Sequence, residues 1–247
     1  MKLEGKKILI TGGGSGIGLE LARRLAATNQ VVIAGRDEAK LEHARADTPT
    51  LRTQRLDVTS EVEAGNALEW IANELGGLDL LVNNAGLLRG YPLSSAEAAK
   101  NSVEDVEVNL GGVLRTTCLA LPLLKASPEG AVLFMSSAVA LAAVPGFAVY
   151  AATKAAVHSL ARSLRAELAS SRIRVFDVLP PVVDTGPVQA LDVPKLSPGA
   201  VADAIIAGLR RDREEIRIAQ VRQLAPLARI APRLADRIVT RALTGKP

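Results

Sequence analysis

A glycine-rich turn stands between an apolar run and a helical pattern near the start of the chain. The apolar run KILIT covers residues 7–11, the turn TGGGSGIG covers residues 11–18, and LELARRLA follows directly. Small residues let the backbone approach an anion, and the free N–H groups at the start of a helix face it. The alternative is a tight strand-to-helix turn without a ligand. The strand before the turn and the helix after it favour a phosphate-binding site.

Short apolar runs alternate with longer stretches of helical spacing along the rest of the chain. Leu21, Ala22 and Leu25, for example, recur at the spacing of one helix face. Runs that are apolar on both faces indicate parallel strands covered by helices on either side. The β-α-β order therefore predicts an α/β fold, a doubly wound parallel sheet of about seven strands with helices on both faces. The strand candidates are residues 7–11, 30–35, 51–58, 78–85, 131–137 and 173–180.

The chain shows no internal repeat and no linker rich in Gly, Pro or Ser. Residues 1–247 are therefore predicted to form one domain. Two helix starts have the expected capping residues. Asp37 precedes the helical stretch EAKLEHAR, and Ser60 is followed three residues later by Glu63, which is the pattern of a capping box.

The C-terminal segment, at 222–247, is basic and amphipathic. From residue 210 to 247 there are ten Lys or Arg and four Asp or Glu, while the whole chain has a net charge of +4. Apolar residues recur there at helical spacing, but Pro226 and Pro232 argue against one uninterrupted helix. Broken amphipathic helices that pack on the body or on a second subunit are expected. Contact with an anionic membrane is the less favoured alternative.

Composition excludes two classes of protein and indicates a location. Aromatic residues make up 2% of the chain, so base-stacking platforms are missing, and no DNA-reading motif is present; no nucleic-acid partner is expected. No run of about 18 apolar residues is found. The start MKLEGKKILI is not a signal peptide, and the single Cys118, in an apolar helical run, is read as a small core residue. A cytoplasmic protein is predicted.

The sequence YAATK, residues 150–154, places a phenol beside an ammonium. Tyr150 and Lys154 are four residues apart, so they share one face of a helix. A free tyrosine has a pKa of about 10, which is too high for efficient proton transfer near neutrality. A neighbouring ammonium favours the phenolate and is expected to lower that pKa. The pair therefore predicts a tyrosine that serves as an acid and a base.

Several motifs together resemble the short-chain dehydrogenase/reductase family. They are, in the family's order, the turn TGGGSGIG, NNAG at 83–86, VNL around Asn109, SS at 136–137, YAATK, and LPPVVDT at 179–185. The similarity covers nearly the whole chain and weakens after residue 187. The family's usual Pro-Gly after the sixth strand is here Pro180-Pro181, which puts the geometry of that loop in question because proline cannot adopt a positive φ. The resemblance implies a Rossmann fold, an NAD(P)-dependent oxidoreductase acting on CH–OH groups, and a homodimer or homotetramer.

The resemblance also implies roles for individual residues. Ser137 would hold the substrate oxygen, Tyr150 would deliver the proton, and Lys154 would also bond the nicotinamide ribose. Asn109 would anchor a water that links Lys154 to solvent. The alternatives are a strand-end hydroxyl bonding its own backbone for Ser137, and a polar contact inside a helix for Asn109. The implied cofactor residues are Gly12, Ser15, Gly16, Ile17, Gly18, Arg36, Asp57, Val58, Asn84, Ala85, Gly86, Tyr150, Lys154, Pro180, Val183 and Thr185.

Asp57 and His158 lie outside these motifs, and the sequence indicates a role for each. Asp57 resembles an adenine-contacting aspartate of the family, with turn or cap chemistry as the alternative. His158 lies one turn beyond Lys154 and has no metal-ligand partner in the sequence, so it is expected at the surface or in a subunit contact. No metal site is predicted.

The end of the second predicted strand indicates the cofactor. Gly35 stands where many NAD users of the family carry an acidic residue, and Arg36 follows it. A guanidinium there can bind a 2′-phosphate, while an exposed strand-end arginine is the alternative. Asp37 fits a helix N-cap that faces backbone N–H groups. NADPH is therefore predicted over NADH.

Substrate chemistry is indicated only in outline. The expected pocket walls, residues 87–93, 138–147 and 182–193, are mostly apolar and favour a hydrophobic or amphipathic carbonyl compound or alcohol. The alternative function is a non-catalytic Rossmann protein that senses the redox state of a dinucleotide.

Overall fold

A computed structural model describes residues 1–186 and 193–244 of the chain. Their strands form a single parallel sheet of seven strands in the order β3-β2-β1-β4-β5-β6-β7. The strands are β1 Lys7–Thr11, β2 Gln30–Gly35, β3 Arg52–Arg55, β4 Leu80–Asn83, β5 Ala131–Met135, β6 Arg174–Leu179 and β7 Glu215–Arg217. The predicted doubly wound parallel sheet is confirmed.

Helices connect the strands and cover the sheet. They are α1 Gly16–Leu25, α2 Glu38–Asp47, α3 Glu61–Leu75, α4 Ala98–Val106, α5 Gly112–Ala126, α6 Ala148–Glu167, α7 Pro198–Arg210, α8 Val221–Ile230 and α9 Pro232–Thr244. A π-helical turn, Glu107–Gly111, joins α4 to α5, and a 3-10 turn, Ala138–Leu141, follows β5. No helix in the described ranges is long and apolar enough to cross a membrane.

All six strand candidates form, but several are shorter than the apolar runs that predicted them. The run 51–58 yields only β3, and the run 78–85 yields only β4. Residue 51 and residues 78–79 precede these strands, while residues 56–58 and 84–85 follow them and lie in loops at the carboxyl edge of the sheet, where the site is. The seventh strand, β7, is three residues long and had no individual signal in the sequence.

Alternation along the strands divides the core between the two faces of the sheet. Ile8 and Ile10 of β1 pack in one cluster with residues of α1 and α7, while Leu9 packs in the other with residues of α3, α5 and α6. Successive side chains of a strand point to opposite faces, so each apolar strand serves both clusters.

The predicted helix caps are present. The Asp37 carboxylate accepts a hydrogen bond from Lys40 N, and Ser60 Oγ accepts one from Glu63 N. Glu63 does not complete the capping box, because its carboxylate accepts from Asp57 N at 2.8 Å. Glu63 therefore fixes the end of the β3 loop to the start of α3.

Cys118 is exposed, so its assignment to the core was wrong. It lies on the outer side of α5, one helical turn after the exposed Leu114. An apolar helical run does not by itself define the buried face. Here the sheet takes the side of α5 that carries Val113, Ala120 and Leu124.

Candidate active site

A cavity of about 810 Å³ opens at the carboxyl edge of the sheet. The strand order reverses between β1 and β4, and doubly wound sheets bind ligands in the crevice at such a point. Most of the predicted site residues line this cavity. They are Gly12, Ser15, Gly16, Ile17, Asn84, Ala85, Gly86, Ser137, Tyr150, Lys154, Pro180, Val183 and Thr185.

The glycine-rich turn has little room for side chains. Gly12 has a φ of +65°, and a Cβ added there would lie 2.8 Å from the Ala85 Cα. A Cβ on Gly18 would lie 2.6 Å from the Gly12 carbonyl oxygen. Ser15, the N-cap of α1, makes no side-chain capping bond, so the start of α1 faces the cavity uncapped. This backbone suits a bound phosphate.

Asn84 holds the glycine-rich turn in place. Its Nδ2 donates to the carbonyl oxygens of Thr11, at 3.0 Å, and of Gly12, at 3.1 Å. The loop after β4 and the turn after β1 are therefore one rigid unit. On the far side, Thr185 Cγ2 would be 3.2 Å from a Cβ added at Gly16, so the loop after β6 closes over the same turn.

Tyr150, near the start of α6, meets Ser137 at the end of β5. Burial raises the pKa of Tyr150 to about 12, and a hydrogen bond with Ser137 acts in the opposite direction. Ser137 Oγ also accepts from Val139 N at 3.4 Å and caps the 3-10 turn. Ser137 therefore makes the local backbone contact that was its alternative and also reaches Tyr150, while its contact with a substrate oxygen stays a prediction.

Lys154 is buried and bonds the backbone at the end of β5. Its Nζ donates to the Met135 carbonyl oxygen at 2.8 Å and lies 5.7 Å from the centroid of the Tyr150 ring. Burial lowers the pKa of Lys154 to about 8, and the charge of Asp177 opposes that shift. Burial is thus the larger influence on the pKa of Tyr150, and the expected lowering of that pKa by Lys154 stays a prediction.

Asn109 lies in the π-helical turn between α4 and α5 and is fully buried. Its Oδ1 accepts from Leu87 N at 2.6 Å, and its Nδ2 donates to Leu87 O at 2.8 Å. A Cβ on Gly86 would lie 3.0 Å from Asn109 Oδ1 and 3.5 Å from Lys154 Nζ. The side chain thus fixes the loop after β4 beside Lys154, and a π-helical turn is a feature found often at functional sites.

Arg36, Asp57 and Val58 lie at the ends of β2 and β3, outside the cavity lining. Arg36 Nη1 is 3.9 Å from Asp57 Oδ2, while Asp57 Oδ1 accepts from Thr59 N at 2.9 Å. Asp57 therefore combines turn chemistry with one oxygen free to face Arg36. Val58 packs closely on Gly112 of α5.

Lys40, which the sequence did not single out, lines the cavity beside the glycine-rich turn. It belongs to α2, and its Cβ would be 3.3 Å from a Cβ added at Gly14. Its ammonium pairs with Asp37 at 3.1 Å. Lys40 lies inside a helix with a weak apolar face, so the sequence did not indicate that it is close to the glycine-rich turn. The two come together only because α2 packs against that turn.

A buried polar cluster behind Lys154 was also missed. His158 Nδ1 lies 2.5 Å from Asp177 Oδ2, and Ser136 Oγ donates to Asp177 Oδ1 at 2.5 Å. The His158 side chain is 13% exposed and faces Asp177, so His158 is not the free surface residue that was expected, while a subunit contact stays a prediction. An aspartate in the otherwise apolar β6 was the signal that could have found the cluster, since a buried carboxylate needs partners.

Replacing Asp177 tests its effect on Lys154. In Asp177→Asn the amide can still bond Ser136, but the negative charge that favours the Lys154 ammonium is gone. The alkaline limb of the pH profile for NADPH binding is expected to move down by up to about one pH unit. Ser136→Ala, which removes a bond to the carboxylate and keeps its charge, should leave the limb in place. Equal shifts in both variants would contradict the electrostatic role.

The far wall of the cavity comes partly from a region that the sequence did not assign to the site. Of the predicted walls, Leu87, Leu88, Ala138, Val139, Phe147, Val182 and Val183 line it, while residues 187–192 lie outside the described residues. The additional wall is formed by α8 and α9, through Gln220, Val221, Gln223, Leu224, Leu227, Ile238, Val239 and Ala242. The C-terminal helices thus pack on the body, over the site.

Comparisons with known proteins agree with this geometry. The family model described as short chain dehydrogenase matches residues 6–194. Uncharacterized oxidoreductase DltE of Bacillus subtilis is 34% identical over 224 residues, covering 87% of this chain and 89% of that protein. An uncharacterized oxidoreductase of Staphylococcus saprophyticus is 33% identical over 220 residues, with 85% and 94% covered.

Two solved structures are similar over most of their length. A short chain dehydrogenase from Burkholderia cenocepacia in complex with NADP has a TM-score of 0.85 at 30% identity, covering 99% of this chain and 100% of that one. An alcohol dehydrogenase from Thermococcus sibiricus complexed with 5-hydroxy-NADP has a TM-score of 0.76 at 27% identity, with 85% and 94% covered.

Proposed function

Since the chain belongs to the short-chain dehydrogenase family of NAD(P)-dependent oxidoreductases, we propose that it uses NADPH to interconvert a hydrophobic or amphipathic carbonyl compound and its secondary alcohol. The observation that carries the proposal is the meeting of Ser137, Tyr150 and Lys154 in one cavity with an uncapped, glycine-lined helix start. A reactive carbonyl and a dinucleotide phosphate can be held there together.

The chain's own residues supply the proton and the orientation. NADPH, when bound, supplies the hydride that adds to the carbonyl carbon. Ser137 donates a hydrogen bond to the carbonyl oxygen, and Tyr150 delivers its phenolic proton to that oxygen, which becomes the alcohol. Burial raises the pKa of Tyr150 and keeps the phenol protonated near neutral pH, so release of its proton depends on the stabilisation of the phenolate by Ser137 and Lys154. Oxidation runs the same steps in reverse.

Lys154 acts on the phenolate that Tyr150 becomes after it gives up its proton. A buried ammonium near the ring favours that anion by charge attraction. Its second role is a hydrogen bond to the nicotinamide ribose. Asn109, which fixes the loop beside Lys154, is proposed to anchor the water through which Lys154 regains contact with solvent.

The cavity wall beyond Tyr150 supports an apolar substrate. Leu224, Leu227 and Val239 face the same space as Phe147 and Val139, and the polar side chains on the C-terminal helices' part of the wall are the amides Gln220 and Gln223. A neutral carbonyl compound with a hydrophobic body matches this lining.

The preference for NADPH rests on the cations at the adenosine end. Gly35 leaves no carboxylate against a 2′-phosphate, Arg36 stands half exposed at the end of β2, and Lys40 lines the cavity nearby. Lys40 would supply a second cation for the phosphate beside Arg36. Charge-assisted hydrogen bonds from such groups suit a phosphate.

Arg36→Ala is expected to raise the Michaelis constant for NADPH by about tenfold to a hundredfold, because one or two charge-assisted bonds are lost. The constant for NADH should change far less. Steady-state kinetics with both cofactors measure this. Arg55→Ala is the matched control, since Arg55 lies at the end of the neighbouring strand but pairs with Glu63 at 2.7 Å. Equal effects on both cofactors would refute the assignment.

The proposed reaction itself is tested by a screen. Ketones and aldehydes with apolar bodies are incubated with NADPH and the protein, and consumption of reduced nicotinamide is followed. Turnover that Ser137→Ala abolishes supports the proposal. Tight NADPH binding with no turnover on any carbonyl or alcohol would instead support the alternative, a non-catalytic sensor of dinucleotide redox state.

A homodimer or homotetramer remains part of the proposal, as does a cytoplasmic location. The outer sides of α4 and α5 expose Val103, Val106 and Leu114, and Cys118 lies beside them. Apolar side chains grouped on adjacent helices are typical of an interface between subunits.

A further inference from the structure

The outer side of the C-terminal helices carries arginines and exposed apolar residues together. Arg229 of α8 and Arg233, Arg237 and Arg241 of α9 are all exposed. Three large apolar side chains lie next to them in sequence: Ile230 is 84% exposed, Leu234 is 47% and Ile238 is 46%. These seven residues are called the arginine face below.

The arginine face has a concentrated and uncompensated charge. Residues 221–244 contain five Arg and one Asp, a net charge of +4, which equals the net charge of the whole chain. The rest of the chain is therefore neutral on balance. Within residues 1–186 and 193–244, the four arginines of the face form no ion pair. The one acidic residue, Asp236, accepts a hydrogen bond from Ala143 N and so points toward the body.

Folding does not require this outer side. The same two helices are anchored by their inner side, where Leu224, Ala235 and Val239 pack in a cluster with Val139 and Val144. The exposed Ile230 and Leu234 take no part in that cluster. Packing within this chain therefore does not explain why these apolar residues are exposed beside arginines that form no ion pair within the described residues. A binding partner would explain it.

The charge distribution decides which partner fits. A second copy docked on this face through a two-fold axis would place one row of arginines near the other, with Asp236 as the one acidic residue of the two helices. An anionic surface with an apolar interior satisfies both kinds of residue at once, since basic amphipathic helices lie in the bilayer interface in this manner. We propose that the arginine face binds the surface of a bilayer that contains anionic phospholipid.

The position of the face gives such docking a use. Ile238 belongs both to the arginine face and to the lining of the cavity, together with Val239 and Ala242 of the same helix. Docking would place that wall of the cavity next to the acyl region of the bilayer. A neutral apolar carbonyl compound dissolved in the membrane could then reach Tyr150 without crossing water. This use depends on the proposed function, whereas the docking itself does not.

Vesicle binding tests the proposal without requiring catalysis. The wild-type protein is expected to sediment with vesicles of phosphatidylcholine and phosphatidylglycerol, to bind pure phosphatidylcholine far less, and to be released by salt. Removing three charges should weaken binding at least about tenfold, because each contributes about 1 kcal/mol at an anionic surface. The test variant is Arg233→Gln/Arg237→Gln/Arg241→Gln, and the charge-matched control is Arg210→Gln/Arg211→Gln/Arg213→Gln, at the end of α7.

A second pair of variants tests the apolar part of the face. Ile230→Ser/Leu234→Ser should also lose vesicle binding, while Val62→Ser/Leu93→Ser, equally exposed and remote in sequence, should keep it. NADPH binding by each variant checks that the fold is retained. If a control variant lost vesicle binding to the same degree, the proposal would be wrong. The net charge or the total exposed apolar surface would then explain the binding, without a role for this particular face.

The mass of the protein in solution tests the remaining alternative, which is that the arginine face is a contact between subunits. If the arginine variant differs from the wild-type protein in oligomeric state and the wild-type protein does not bind anionic vesicles, the arginine face is a subunit contact and the proposal is wrong. Vesicle binding without any carbonyl turnover would support the membrane docking and contradict the proposed reaction. Carbonyl turnover without vesicle binding would support the proposed reaction and contradict the membrane docking.

Discussion

Tyr150→Phe is expected to lower turnover by about 10²- to 10⁴-fold, the contribution typical of a positioned general acid. The variant removes a single oxygen from the cavity and leaves the glycine-rich turn, Arg36 and Lys40 unchanged. The dissociation constant for NADPH should therefore stay within about threefold of the wild-type value, a difference well below 1 kcal/mol. Steady-state turnover and cofactor titration measure the two quantities on the same preparation.

Tyr91→Phe provides the matched control, since the chain contains only two tyrosines. The Tyr91 hydroxyl donates to Asp105 Oδ2 at 2.8 Å, and the residue does not line the cavity. Its loss should leave turnover nearly unchanged. If Tyr150→Phe reduced a confirmed substrate at the wild-type rate, or if both variants failed equally, the proton route through Tyr150 would be wrong.

Local patterns predicted those parts of the molecule that depend on neighbours in sequence. The strand, glycine-rich turn and start of α1 follow one another directly, and Tyr150 and Lys154 share a helix face, so spacing alone placed them. The caps at Asp37 and Ser60 were predicted for the same reason. The parallel, doubly wound sheet followed from the regular alternation of apolar runs and helices, whereas the order of the strands within it did not.

Contacts between residues distant in sequence decided what could not be predicted. Lys154 donates a hydrogen bond to the carbonyl of Met135, a contact that forms only because β5 lies against α6 in the folded protein. His158 meets Asp177 only when β6 enters the sheet beside β5. The wall built by α8 and α9 likewise depends on their folding back over the 3-10 turn after β5. Periodicity gives a buried face but not the element that covers it.

Lys154→Met combines a loss of activity with a gain in stability. Turnover should fall by orders of magnitude, and NADPH should bind more weakly, because both proposed roles of the ammonium are removed. The folded protein, however, no longer has to bury a charge. At pH 7 the free energy of unfolding is expected to rise by about 2 kcal/mol, since desolvation of the ammonium outweighs its bond to Met135.

The gain depends on pH in a direction fixed by the lowered pKa of Lys154. That pKa is about 8 in the folded protein against an ordinary value of 10.5. Below pH 8 the lysine is charged in both states, and the wild-type protein bears the full cost of burial. Between pH 8 and 10.5 the unfolded chain binds the proton and the folded protein does not, so the wild-type protein gains stability as the pH rises. The advantage of the variant should therefore shrink across this window.

Denaturant unfolding at pH 7 and pH 9.5 measures this change. Titration of the tyrosines in the unfolded chain affects both proteins alike, so it cancels in the difference between them. The difference in unfolding free energy between Lys154→Met and the wild-type protein should narrow by about 2 kcal/mol. Lys100→Met, at an exposed position on α4, should show no such trend. If the difference in unfolding free energy between the two proteins stayed constant with pH, the pKa of Lys154 would be the same in the folded and unfolded chains. Burial of its charge would then cost the fold nothing, and the proposed explanation would be wrong. A buried ammonium that weakens the fold yet lines the cavity is best explained by the reaction, because the bond to Met135 and the charge of Asp177 offset only part of its cost.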